Sequence, residues 1–118
     1  MVKVMVADDS TFMRKILKGI LEREGYDNVI EAIDGEETVD KFKKEKPDLV
    51  LLDIIMEKKD GVTALKEMKK INPKSKFIII SAIGQDSMVK EAMQLGASNY
   101  IVKPFKSQDV ALAIRKAL

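Results

Sequence analysis

The chain has 118 residues, 46% hydrophobic and 34% charged, with a formal net charge of +2. That size and apolar content fit one domain with a real core and exclude disorder. It has no cysteine and no histidine, which excludes disulfides, thiolate zinc, histidine ligands, a cysteine nucleophile and the usual general base. The lysines are spread along the chain, so no nucleic-acid footprint is expected. No apolar run approaches a membrane span, and Met1 leads straight into a strand-like segment, so a cytoplasmic protein is expected.

The period of the apolar pattern alternates along the chain. Val2 to Ala7 reads as a strand. Phe12, Met13, Ile16, Leu17, Ile20 and Leu21 recur at helical spacing, and Gly25 closes that helix. Asn28 to Ala32 reads as a short strand. Gly35 to about Glu45 is helical, with Val39 and Phe42 inward, and Pro47 ends the stretch. Leu49 to Leu52 is a strand. Gly61 to Lys70 is a helix with Val62, Leu65 and Met68 on one face, stopped by Asn72-Pro73. Phe77 to Ala82 is the most apolar strand. Asp86 to Leu95 is a helix stopped by Gly96. Asn99 to Val102 is a short strand, and Ser107 to Leu118 a last helix capped by Ser107. The methionines at 13, 56, 68, 88 and 93 read as core filler. Lys41, Lys43, Lys44 and Lys46 read as a solvated face.

Five β-α units argue an α/β fold with a five-stranded parallel sheet, a doubly wound (βα)5 domain. The first, third and fourth strands are nearly all apolar, as interior strands are. The second and fifth are shorter and more polar, so they suit the edges. Keeping sequential strands adjacent gives the order 2-1-3-4-5, that of flavodoxin-like sheets. Ligands of such sheets bind beyond the carboxyl ends of the strands, where the order reverses. Here that point lies between strands one and three.

Strand one ends in Asp8-Asp9 and strand three in Asp53. Singly, Asp8 and Asp9 read as helix-capping acids and Asp53 as a loop acid. Together they form a cluster: two carboxylates about 4 Å apart repel by about 4 kcal/mol at an effective dielectric of 20. A cation or a proton must compensate. An oxygen-only donor set points to Mg2+ (or Mn2+), with a phosphate beside it. Ser81 and Lys103 end strands four and five on the same rim, and supply a hydroxyl donor and an ammonium for phosphoryl oxygens. One carboxylate can then act as nucleophile. A cis Lys103–Pro104 bond would fix how the lysine enters, although trans is the commoner form.

The set Asp8-Asp9, Asp53, Ser81 and Lys103-Pro104-Phe105, with Gly61 and Tyr100, resembles the receiver domain of two-component response regulators, over the whole chain. The stretch S-A-I-G-Q-D-S-M-V-K-E-A and the end at residue 118, without an output domain, resemble the chemotaxis branch of that family. The resemblance implies Asp53 as phosphoacceptor, and Asp8, Asp9, Asp53 and the Ile55 backbone carbonyl as metal ligands. It implies that Ser81 swings toward the phosphate and that Tyr100 turns inward, moving a face of helix four, strand five and helix five. The implied partners are a histidine kinase as phosphodonor, a motor or motor-adaptor protein, and a phosphatase, with the chain acting as a monomer. It would be a switch that catalyses only its own phosphotransfer and dephosphorylation, not a metabolic enzyme.

The chain departs from the family pattern in two places. Glu57 stands where proline is usual, and reads either as a tuner of loop mobility or metal affinity or as a solvent-exposed acid. Ile55 and Ile83, two residues past Asp53 and Ser81, cannot position an attacking water, so a long-lived aspartyl-phosphate is expected. Alternative readings are a phosphorelay shuttle, an aspartate-nucleophile phosphatase and a flavin electron carrier. The phosphatase needs a proton donor where Ile55 stands. For the flavin carrier, Asp8-Asp9 would repel the cofactor phosphate.

Overall fold

Each apolar run becomes a strand and each helically spaced stretch a helix in the computed structural model, which describes residues 1–118 throughout. The order is β1 (Val4–Ala7), α1 (Thr11–Arg23), β2 (Val29–Ala32), α2 (Gly35–Glu45), β3 (Leu49–Leu52), α3 (Gly61–Ile71), β4 (Lys76–Ser81), α4 (Asp86–Gln94), β5 (Asn99–Val102) and α5 (Ser107–Ala117). The strands form one sheet in the order β2-β1-β3-β4-β5, every pairing parallel.

The sheet separates two apolar layers because successive strand residues point to opposite faces. Met5, Ala7, Val50 and Leu52 face α2 and α3, meeting Val39, Phe42, Leu65 and Met68. Val4, Val6, Leu49 and Leu51 face α1 and α5, meeting Leu17, Leu21, Val110 and Ile114. β1 and β3 are buried throughout, while β2 and β5 are partly exposed. Polarity, not length, marks the edges: β2 and β5 have four residues each, as do β1 and β3.

Helix ends follow local chemistry. Gly25 (φ 92°) and Gly96 (φ 100°) take the left-handed conformation that stops α1 and α4. Asp60 caps α3, its carboxylate accepting from the Thr63 amide, and Asp34 caps α2 in the same way through Glu37. Ser10, rather than Asp8 or Asp9, caps α1, its hydroxyl accepting from the Met13 amide. Ser107 does not cap α5. It is the first helical residue, and Lys106 holds the cap position without a side-chain hydrogen bond. α4 also lacks a side-chain cap, and Ala92 is its one buried residue.

Two expected core residues lie outside. Phe12 is 72% exposed and Met93 43% exposed. From Ile20 and Ile16, Phe12 continues a row of steps of four. Each such step turns about 40° past a full rotation, so the row leaves the inner face by the first turn of the helix. Met56 and Met68 are buried, while Met13 and Met88 are half-buried.

Candidate functional site

The backbone ladder delivers two acids to one point. Past the end of β1, the Asp8 amide still donates to the Ala32 carbonyl at 3.1 Å. Past the end of β3, the Asp53 amide donates to the Ala7 carbonyl at 3.0 Å. Both carboxylates are buried, Asp8 at 1% and Asp53 at 6% exposure, while Asp9 is exposed. Because Ser10 holds the α1 cap, Asp8 and Asp9 are free of that task. One carboxylate oxygen from each of Asp8, Asp9 and Asp53 lies within 4.8 Å of the others.

Lys103 reaches in from the end of β5. Its Nζ donates to Asp8 Oδ2 at 2.8 Å and to Asp53 Oδ2 at 2.9 Å. Burial disfavours the ammonium, but the hydrogen bonds and charges of Asp8 and Asp53 outweigh it, so Lys103 holds its proton above the usual lysine range. The Lys103 amide donates to the Ser81 carbonyl at 2.8 Å, and the Lys103–Pro104 peptide is cis. The other oxygen of each buried acid also accepts one backbone amide. Asp53 Oδ1 takes the Ile55 amide at 3.0 Å and Asp8 Oδ1 the Ser10 amide at 2.9 Å.

Three carboxylates against one ammonium leave two negative charges uncompensated. All the side-chain donors are hard oxygens, and one acid is exposed to solvent. That set fits Mg2+ or Mn2+, which favour carboxylates and retain waters.

The surrounding positions fall as follows. Ser81 is buried, its hydroxyl accepting from the Ile83 amide at 3.3 Å. Tyr100 points inward, packs against the α2–α3 layer and donates its phenol to the Ile83 carbonyl. Burial first, with the Asp53 charge adding to it against the Ser81 hydroxyl, holds that phenol above its ordinary pKa. Ile55 is 50% exposed, and Ile83 is half-buried. Glu57 is exposed and lies outside the acidic cluster. Its carbonyl accepts the Gly35 and Lys59 amides.

Two glycines shape the loop that follows β3 by close approach. A Cβ on Gly61 would lie 2.4 Å from the Asp53 carbonyl oxygen, and one on Gly35 would lie 1.7 Å from the Lys59 carbonyl oxygen. The sequence reading does not single out Gly35 or Arg14. Arg14 is 8% exposed, and its Nη1 donates to the Asp8 carbonyl at 2.7 Å. The signal was a charge in line with Leu17 and Leu21 on the inward face of α1.

Comparison with known proteins agrees with this geometry. The model of the response regulator receiver domain matches residues 4–115. Chemotaxis protein CheY of Bacillus subtilis is 47% identical, covering 98% of this chain and 97% of that protein. Chemotaxis protein CheY of Thermotoga maritima is 46% identical, covering 97% and 95%. Among solved structures, a chain of the CheX-CheY-BeF3-Mg complex from Borrelia burgdorferi superposes with a TM-score of 0.93 at 37% identity, covering 98% of this chain and 87% of that one. With its sheet order, its acidic rim and this similarity, the chain belongs to the family of response regulator receiver domains.

Proposed function

We propose that the chain is a phosphorylation switch of the chemotaxis type. Asp53 accepts a phosphoryl group from a phosphohistidine on a separate kinase. The contact that carries this reading is Lys103 Nζ bonded at once to Asp8 and Asp53. It places a fixed cation beside a buried carboxylate, at the point where a phosphoryl group would meet it.

In the transfer, an Asp53 carboxylate oxygen bonds to phosphorus as the phosphorus–nitrogen bond of the donor breaks. The nitrogen keeps the electron pair and takes a proton. Asp8, Asp9, Asp53 and the Ile55 carbonyl would hold Mg2+, which when bound neutralises charge on the phosphoryl oxygens. Lys103 neutralises a further phosphoryl oxygen. The Ile55 amide steadies Asp53 through its hydrogen bond to Oδ1. Ser81, whose Oγ accepts from the Ile83 amide, keeps its own O–H to donate to the phosphoryl group. Tyr100, tied to the Ile83 carbonyl, couples that loop to β5 and so to the α4–β5–α5 face.

The chemotaxis relatives support a motor-directed output over a phosphorelay shuttle. The Borrelia burgdorferi complex supports a CheX-like protein as one kind of partner and BeF3 with Mg2+ as a usable phosphoryl mimic. The test is beryllofluoride or acetyl phosphate with Mg2+, followed by amide NMR. Shifts are expected around Asp53, Ser81 and Tyr100, and none in Asp53→Asn. An unchanged wild-type spectrum would overturn the reading.

A further inference from the structure

The buried guanidinium of Arg14 has no part in the transfer as described, yet it touches the backbone that carries the acids. Asp8 sits where β1 has ended and α1 has not begun. Its amide is fixed from β2 by the Ala32 carbonyl, and its carbonyl is fixed from α1 by Arg14 Nη1. The peptide joining Asp8 to Asp9 is planar, so fixing the Asp8 carbonyl also fixes the direction in which Asp9 departs. Asp9 is exposed, so its backbone, rather than packing, sets where its carboxylate lies.

Arg14 is itself held from two sides. Its Nε donates to Glu31 Oε1 at 2.9 Å and its Nη2 to Thr11 Oγ1 at 3.3 Å. Glu31 is held in turn by Lys18 at 3.2 Å. Three separate donors of one rigid fork thus join α1, β2 and the acidic loop, which a lysine cannot imitate.

Stability alone does not account for this residue. A methionine in line with Leu17 and Leu21 would pack there, and the ion pair it would replace is worth little, because the Glu31 side chain is 38% exposed. Nor does charge account for it. A cation beside an acidic cation site repels the ion the site holds. We infer that Arg14 is a positioning residue for the divalent-cation site, setting the Asp8–Asp9 peptide through the Asp8 carbonyl and being oriented by Glu31. This rests on the receiver reading above.

The two explanations differ in sign. If Arg14 acts only through its charge, removing it tightens Mg2+ binding. If it positions the acids, removing it weakens binding. Titration calorimetry of the full chain with MgCl2 at constant ionic strength reads the difference. Arg14→Met is expected to bind about tenfold more weakly, as loss of a residue orienting a metal ligand does, and Arg14→Lys to fall between. Should Arg14→Met fail to fold, Arg14→Met with Glu31→Met removes both charges and is expected to show the same weakening. Equal or tighter binding by a folded variant overturns this inference alone. A wild type that binds no Mg2+ overturns the receiver reading beneath it.

Discussion

Replacing Lys103 by methionine tests the electrostatics of the site. Lys103 Nζ lies 2.8 Å from Asp8 and 2.9 Å from Asp53, and both acids are nearly fully buried. Each contact is worth about 4 kcal/mol of Coulomb attraction at ~4 Å and an effective dielectric of 20, before the cost of burying the ammonium. Breaking a buried pair from one side costs about 3–5 kcal/mol, because the partner is left uncompensated. Lys103→Met is therefore expected to lose about 3–5 kcal/mol in EDTA. A divalent cation stabilises wild type and variant alike, so it narrows the deficit only through tighter binding once the neighbouring ammonium is gone, by about 1.4 kcal/mol for each tenfold. Urea unfolding followed by far-UV circular dichroism, in EDTA and in Mg2+, measures both quantities. Alkaline pH gives a further check. Lys103 has a raised pKa in the folded state, so its contribution is complete below the ordinary lysine value and fades as pH rises through the raised one. The wild type should lose stability there, and Lys103→Met should lack that limb. A deficit under about 1 kcal/mol, or one identical in EDTA and Mg2+, would refute the reasoning.

Gly61→Ala pushes a Cβ to 2.4 Å from the Asp53 carbonyl oxygen and 2.5 Å from Ile54 Cα. Backbone cannot yield as a side chain does, so unfolding should show a loss of about 1–3 kcal/mol, together with slower phosphorylation by acetyl phosphate. Asp60→Ala removes the α3 cap and should cost about 1 kcal/mol. The Thr63 amide lowers the Asp60 pKa, so its stabilisation is present above the ordinary aspartate value and disappears as pH falls through the lowered one. The variant should therefore show a shallower acid limb in a pH series of melts. Polar side chains at Ile55 and Ile83 together should speed loss of the phosphoryl group by giving an attacking water partners. A decay rate in the double variant equal to or slower than that of wild type would count against that role.

The fold was legible because pattern and packing agree. Val4 to Ala7 and Leu49 to Leu52 carry no polar residue and lie inside, while Glu31 in β2 and Asn99 in β5 mark the edges. Asp8, Asp9, Asp53, Ser81 and Lys103 could be read as one rim because the sheet order puts their strand ends side by side. Other features depend on three-dimensional neighbours that spacing does not encode. Phe12 has helical spacing, but its row has rotated off the inner face by the first turn of α1. Ser107 has the chemistry of a cap but falls one residue inside α5. Gly35 matters because Lys59, distant in sequence, crosses against it. The spacing of Arg14 marks it as a charge on an inward face, but its bond to the Asp8 carbonyl is one that no side-chain motif reveals.

The weak seating of α4 has a consequence for how unevenly the molecule holds together. With one buried residue and no side-chain cap, this helix has little to lose by opening locally, while α1 and α5 are sealed against the far side of the sheet by a continuous apolar layer. Amide protons of α4 should exchange through brief local excursions, and those of β1 and β3 only when the whole chain unfolds. The Ile83 carbonyl, which accepts from Tyr100, lies in the segment leading into α4, so a change in that bond should be felt by a helix that is held by little. A single hydrogen bond's worth of free energy, about 1 kcal/mol, is enough to shift how often α4 is open without disturbing the scaffold that keeps the acids in register.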